Sequence, residues 1–190
     1  MTLLKKIRME NKKYQTIYAD PPWDVNFESV LGQGRKKQYS TMKTENIKNL
    51  PINNIADSDC GLWLWTTHTY LPTSLELIKH WGFKFHILIT WDKGSGLTVC
   101  GFHRRTEFCL YSYKGKMNVK NKETGQSIQT VFRNMPDLFY EKSTQHSRKP
   151  ESFRKLLEYH TPEPRIELFA RIKNKGWDVW GNEVESDIEL

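Results

Sequence analysis

Apolar residues fall along this chain in short runs separated by polar, proline- and glycine-bearing stretches, and the period of each run predicts an element. YQTIYA (14–19), CGLWLWTT (60–67) and FKFHILITWDK (83–93) are compact apolar runs of the kind that form strands buried on both faces. EFCLYSYKG (107–115) alternates like a further strand, and RIELFAR (165–171) and GWDVWGNE (176–183) supply two more. Leu71, Leu75, Leu77 and Ile78 recur at helical spacing over 70–80, ahead of Trp81-Gly82. A second helix opens at Lys149-Pro150 and runs through Tyr159, with Phe153, Leu156 and Leu157 on its inner face; proline suits a first helical turn. Thr44, followed by Ile47 and Leu50, gives a capping pattern for a short helix. SIQTVFRN (127–134) reads as an edge strand, residues 24–40 and 94–106 as loops, 114–127 as an exposed loop or hairpin, and 1–13 as a basic arm. Strands alternating with helices predict an α/β fold, a mostly parallel sheet with helices on both faces. With no repeat and no boundary signal, residues 1–190 read as a single domain.

Composition narrows the partner. Charged residues make up 27% and hydrophobic ones 37%, the balance of a soluble globular chain. Aromatics reach 13% with seven Trp, enough to fill a core and to offer stacking faces for bases. A net charge of +7 favours a polyanion. Cys60, Cys100 and Cys109 show no CxxC spacing and leave one thiol over in any pairing, which points to reduced, buried thiols in a cytoplasmic protein. The histidines are scattered, so no metal site is expected. MTLLKKIRMENKK lacks the apolar run of a signal peptide, and no stretch reaches membrane-spanning length.

One tetrapeptide carries chemistry. YQTIYA runs straight into Asp20-Pro21-Pro22-Trp23, and proline cannot continue a central strand, so the chain turns there. Asp20 is left at a strand's carboxyl end, where open α/β sheets place their ligands. An exocyclic amine of a base is a poor nucleophile, because its lone pair is delocalised into the ring. Two acceptors facing the NH₂ draw that pair back onto nitrogen. Asp20 supplies one, the Pro21 carbonyl the other, and the Pro21-Pro22 step keeps the backbone rigid. Trp23 offers a flat face for a base. Asp-Pro-Pro is equally a plain turn, so the motif needs its context.

That context resembles a family. IYADPPW (17–23), QYSTM (38–42), GLWLWTT (61–67), ITWDK (89–93), EFCLYSYKG (107–115), HSRKP (146–150), RIELFAR (165–171) and GWDVWGNE (176–183) are similar, in this order, to segments of the MT-A70-like adenine-N6 methyltransferases. These are amino-methyltransferases with permuted motif order, and the likeness covers nearly the whole chain. The resemblance implies a Rossmann-like, S-adenosylmethionine-dependent methyltransferase fold with the catalytic half first. It thereby explains why GQG (32–34) and GSG (94–96) are loop glycines rather than a nucleotide fingerprint.

By resemblance, Asp20, Pro21, Pro22 and Trp23 form the catalytic set. Asp20, Lys149, Glu167, Phe169, Arg171, Asn182 and Glu183 would contact S-adenosylmethionine. Each has a plainer reading: Lys149 as a solvated helix start, Glu167 and Arg171 as a surface pair. His146 and Ser147 match the family segment without an assigned role, and Glu107 stands where the family also has an acid. Trp23 and Tyr39 would lie near the target base, Tyr39 being equally a core aromatic. Of four basic clusters, Lys5/Lys6/Arg8, Arg35/Lys36/Lys37, Arg104/Arg105 and Lys114/Lys116/Lys120/Lys122, the second and third flank the tetrapeptide and are assigned to phosphates.

The implied activity is methylation of adenine N6 in nucleic acid, DNA being favoured because the short chain resembles bacterial or phage members. RNA adenine-N6 methylation, DNA cytosine-N4 methylation and a catalytically silent nucleic-acid-binding subunit are the alternatives. A homo- or hetero-oligomeric state is left open.

Overall fold

The computed structural model describes residues 12–24, 41–99, 101–121, 123–126, 138–143 and 148–190. Its strands are β1 (Tyr14–Ala19), β2 (Ala56–Thr66), β3 (Lys84–Val99), β4 (Phe102–Lys114), β5 (Leu138–Tyr140), β6 (Arg165–Leu168) and β7 (Asp178–Trp180). Its helices are α1 (Thr44–Lys48), α2 (Ile52–Ile55), α3 (Leu71–His80) and α4 (Glu151–His160). The strands make one sheet in the order β5-β3-β4-β2-β1-β6-β7. β1 lies parallel to β2 and β6, β6 to β7 and β3 to β5; β4 runs antiparallel to β2 and β3. The sheet is therefore mixed but mostly parallel, as the alternation of elements predicts.

Alternation along β1 explains the two cores. Ile17 and Ala19 point to one face, where they meet Leu62, Leu64 and the α3 residues Leu77 and Ile78. Tyr18 points to the other, where Trp63, Trp65, Trp91 and Trp177 pack with Phe153 and Leu157 of α4. Helices thus cover both faces. Three of these four tryptophans keep their polar edges satisfied, the Trp177 indole by donating to the Glu158 carboxylate at 2.8 Å. The Trp65 indole donates to the Tyr18 hydroxyl at 2.7 Å and the Trp91 indole to the Glu141 carbonyl at 2.8 Å.

Three sequence expectations change. α1 starts at Thr44 itself, with Lys43 in the cap position and no side-chain cap bond. α4 starts at Glu151, because Pro150 holds an extended ψ of 128° as its cap. Residues 94–106 are not a loop: β3 and β4 continue pairing through Leu97↔Arg104 and Val99↔Phe102 around a turn at Gly101. Glu107 accordingly sits within β4 rather than at its start. The strand expected over 127–134 and residues 1–11 of the arm expected over 1–13 lie outside the described residues; of the remainder, Lys12 pairs with Asp178 at 2.5 Å. No helix among the described residues is long and apolar enough to cross a membrane.

Candidate active site

β1 ends at Ala19, paired with Leu64 on one side and Leu168 on the other, so Asp20 and Phe169 are the first residues beyond a shared strand end. Pro21 and Pro22 stop the ladder, since neither can donate to it. The Trp23 N–H donates to the Pro21 carbonyl at 2.8 Å, a three-residue turn centred on Pro22. Proline's fixed φ suits that centre. The Met42 N–H caps the Pro22 carbonyl at 2.9 Å, and Trp23 and Met42 form a parallel bridge. The tetrapeptide is pinned at both ends.

Asp20 continues the alternation of β1 and faces the α4 side. There the Lys149 ammonium, just before α4, lies 2.8 Å from each carboxylate oxygen. The same ammonium reaches Glu107 of β4 at 3.3 Å, and Glu107 in turn accepts from Lys93 at 3.0 Å. The result is an alternating chain of charge, Asp20, Lys149, Glu107 and Lys93, with the Lys149 ammonium 5.5 Å above the Trp65 ring. The Lys149 side chain is 12% exposed and that of Asp20 27%, so the carboxylate is the member of the pair open to solvent. Burial pushes the Asp20 carboxyl above its usual range, and Lys149 offsets only part of that. Burial also raises Glu107, but Lys149 and Lys93 together outweigh it and hold this carboxyl below its usual range. Burial disfavours the Lys149 ammonium, yet its two carboxylate partners raise its pKa and keep it charged.

Trp23 is 5% exposed and belongs to the core beneath α3. One face stacks on Tyr70 with ring centroids 4.9 Å apart, and its indole donates to the Trp65 carbonyl at 3.2 Å. In this position it braces the turn from below; its Tyr70-covered face is closed to a base. Arg104 donates to the Thr69 hydroxyl at 3.5 Å, and Arg105 pairs with Asp92. His68 places Nε2 2.9 Å from the Thr106 hydroxyl beside these arginines; partial burial first, and Arg104 second, lower its pKa. Tyr39, Arg35, Lys36, Lys37, His146 and Ser147 lie outside the described residues.

The other expected residues gather at the ends of β6 and β7. Phe169 adopts φ 62°, a left-handed conformation rare for a bulky side chain, and packs edge-on against Trp180 at 5.4 Å. The Ala170 N–H donates to the Trp180 carbonyl at 3.0 Å, and a Cβ on Gly181 would fall 2.3 Å from the Ala170 carbonyl oxygen. Glycine alone lets the two strand ends close up here. Arg171 and Glu183 pair at 3.5 Å beside exposed Asn182. Glu167, next to Tyr18 in register, is pushed up to about 7 by burial, although Asn174 donates to it at 3.3 Å. Lys93, Tyr70 and Asn174 were not singled out by sequence. Lys93 lies inside ITWDK, but nothing in that segment shows that its partner is fourteen residues away on the next strand.

Carboxylates and cations thus meet at the carboxyl edge of a mostly parallel α/β sheet of Rossmann-like build. The MT-A70 family model matches residues 14–183, and the chain belongs to that family. It is 31% identical to the Type II methyltransferase M.MunI of a Mycoplasma species, over 96% of this chain and 83% of that protein. It is 29% identical to an MT-A70-like N(6)-adenosine-methyltransferase of Arabidopsis thaliana, over 90% of this chain and 24% of that one. With the N(6)-adenine-specific methyltransferase METTL4 of Mus musculus it shares 28% identity, over 91% of this chain and 38% of the relative. The chain therefore spans most of the bacterial relative and well under half of the plant and animal ones.

Proposed function

We propose that this protein methylates the N6 amine of adenine in nucleic acid, with DNA as the polymer and S-adenosylmethionine as the methyl donor. The observation that carries the reading is the partly open Asp20 carboxylate, held by buried Lys149 directly after β1. Coverage supports DNA over RNA: the chain spans 83% of the Type II methyltransferase M.MunI but only 24% of the Arabidopsis thaliana N(6)-adenosine-methyltransferase, whose name gives the ribonucleoside.

The residues at the ends of β6 and β7 fit the donor's chemistry. Glu167, Asn182 and Glu183 supply acceptors for ribose hydroxyls, Arg171 a cation for a carboxylate, and Phe169 an apolar wall. The close approach of Gly181 to Ala170 keeps these groups on a rigid edge. Lys149 is committed to Asp20 and Glu107, so we assign it first to holding the acid and only then to the donor's carboxylate. When bound, S-adenosylmethionine supplies a methyl group made electrophilic by its sulfonium sulfur.

Asp20 and the Pro21 carbonyl each accept one N–H of the target amine. The Pro21 oxygen already takes the Trp23 N–H, which leaves its second lone pair for the base. The carboxylate likewise keeps lone pairs beyond those that face Lys149. With both N–H bonds held, the nitrogen pair is directed at the methyl carbon. Transfer to that nitrogen would exchange the donor's C–S bond for the new N–C bond, with the C–S electron pair left on sulfur. The proton lost from nitrogen passes to Asp20, whose pKa burial has raised. A flipped or single-stranded adenine meets these geometric demands.

The test is incubation of the purified protein with labelled S-adenosylmethionine and matched DNA and RNA oligonucleotides, followed by digestion to nucleosides. Label in N6-methyldeoxyadenosine is the expected result. Label in the ribonucleoside overturns DNA, and label in N4-methyldeoxycytidine overturns adenine.

A further inference from the structure

β2 ends on the pair Thr66↔Phe108 and β5 on Asp92↔Tyr140. Beyond those rungs, the ladder continues only between β3 and β4, through Leu97↔Arg104, Thr98↔His103 and Val99↔Phe102, as a two-stranded ribbon. Because β4 runs antiparallel to β2, this ribbon leaves the sheet at the carboxyl end of β1 and β2, the end that carries Asp20. Phe102 at its tip lies six residues past Phe108, about 20 Å at roughly 3.4 Å per residue.

The ribbon is aimed by its own glycines. Its register breaks between Asp92 and Leu97, where β3 carries extra residues opposite Arg105. Gly94 has φ 69°, and a Cβ on Gly96 would sit 2.2 Å from the Arg104 carbonyl oxygen. Gly101 turns the tip with φ 82°. The tip exposes chemistry that no core needs: Phe102 is 74% exposed, and Thr98, His103 and Arg105 are exposed beside it. The charges facing one another here are Lys93, Arg104 and Arg105 against Glu107 and Asp92, with both acids taken up in ion pairs.

We propose that this ribbon enters the major groove of duplex DNA and reads the bases beside the target adenine. The inference rests on the activity proposed above and adds the element that selects sequence. The B-form major groove is about 12 Å wide and admits a two-stranded ribbon. Phe102 and the Thr98 methyl suit a thymine methyl group. A-form RNA has a deep, narrow major groove that side chains do not read, so the occupant is DNA. Glu107, which touches the ammonium bound to Asp20, is five residues from Phe102. At about 3.4 Å per residue and per base pair, the ribbon covers roughly five base pairs of flank.

The experiment uses a duplex library with a fixed central adenine and randomised flanks, presented to the full chain and to its F102A and H103A variants. Bound and methylated fractions are sequenced separately, with thermal melting as a check that the exposed changes leave the fold intact. The wild-type protein should enrich particular bases within about five pairs on one side. Each variant should lose about ten-fold of that preference at one or two positions. Variants that keep the full preference, or a wild-type protein with none, overturn the ribbon's role. A wild-type protein that selects flanks in the bound fraction but transfers no methyl group overturns the activity and leaves the ribbon standing.

Discussion

The Lys149 ammonium touches both oxygens of Asp20 at 2.8 Å and Glu107 at 3.3 Å, so one largely buried cation fixes two carboxylates, one just past β1 and one within β4. The carboxylate proposed to face the substrate is thereby held by a cation that comes from outside its own strand.

Lys149→Met leaves two carboxylates without their shared cation. Breaking a buried pair by removing one partner costs about 3–5 kcal/mol. In a domain of this size each kcal/mol moves the Tm by roughly 2–4 °C. Thermal unfolding should show a loss of that order, recovered in part by adding Glu107→Gln. The loss should also shrink as the pH falls and the stranded carboxyls take up protons. An unchanged Tm would show that the ion pair does not bear on the fold.

Glu167 gives a second pH signature. Its carboxyl rises from the ordinary 4.5 to about 7 in the folded protein, so between those values the folded state holds the extra proton. Its stabilising contribution is full below 4.5 and is lost as the pH rises through 7. Glu167→Gln should therefore raise the Tm at pH 8 relative to the parent and leave little difference at pH 4.5. Equal Tm differences at both pH values would contradict the burial of this carboxyl.

Trp23 separates bracing from stacking. Buried on Tyr70, it should tolerate Trp23→Phe with an unchanged KM for the oligonucleotide. Trp23→Ala should cost about 3–5 kcal/mol of stability. A KM raised ten-fold by Trp23→Phe at unchanged stability would instead mean that the base stacks on the indole.

What was legible in the sequence followed from local rules. An apolar run meeting two prolines places Asp20 at a strand end, and six- to eleven-residue apolar runs give β1, β2 and the mostly parallel sheet. Pairings between distant segments were not legible. Nothing near Lys149 shows that it is buried between β1 and β4, and tryptophan at position 23 does not say which of its faces is covered. Residues 94–106 read as a loop in the sequence because Gly94, Gly96 and Gly101 break the period. Its strands are held by pairing with each other, which no single window displays.

Arg104 and Arg105 stand at the base of that ribbon, and phosphate contact by both predicts a measurable salt effect. Each neutralised phosphate contributes about 0.9 to the slope of log K against log salt on B-form DNA. The double alanine variant should bind duplex DNA with a slope shallower by about 1.8 if both contact phosphate. A slope identical to the parent would assign these arginines to Asp92 and Thr69 alone.

Asp20 carries the account, and one measurement reaches it directly: single-turnover transfer of label from S-adenosylmethionine to an adenine-containing duplex by the parent, Asp20→Asn and Asp20→Ala. Loss of one preorganised polar contact to the reacting group lowers rates by about 10²–10³-fold. We expect at least that loss in Asp20→Ala, with a cooperative unfolding transition retained, and a smaller loss in Asp20→Asn, which keeps one acceptor oxygen. Transfer at the parental rate by a folded Asp20→Ala protein would contradict the assignment.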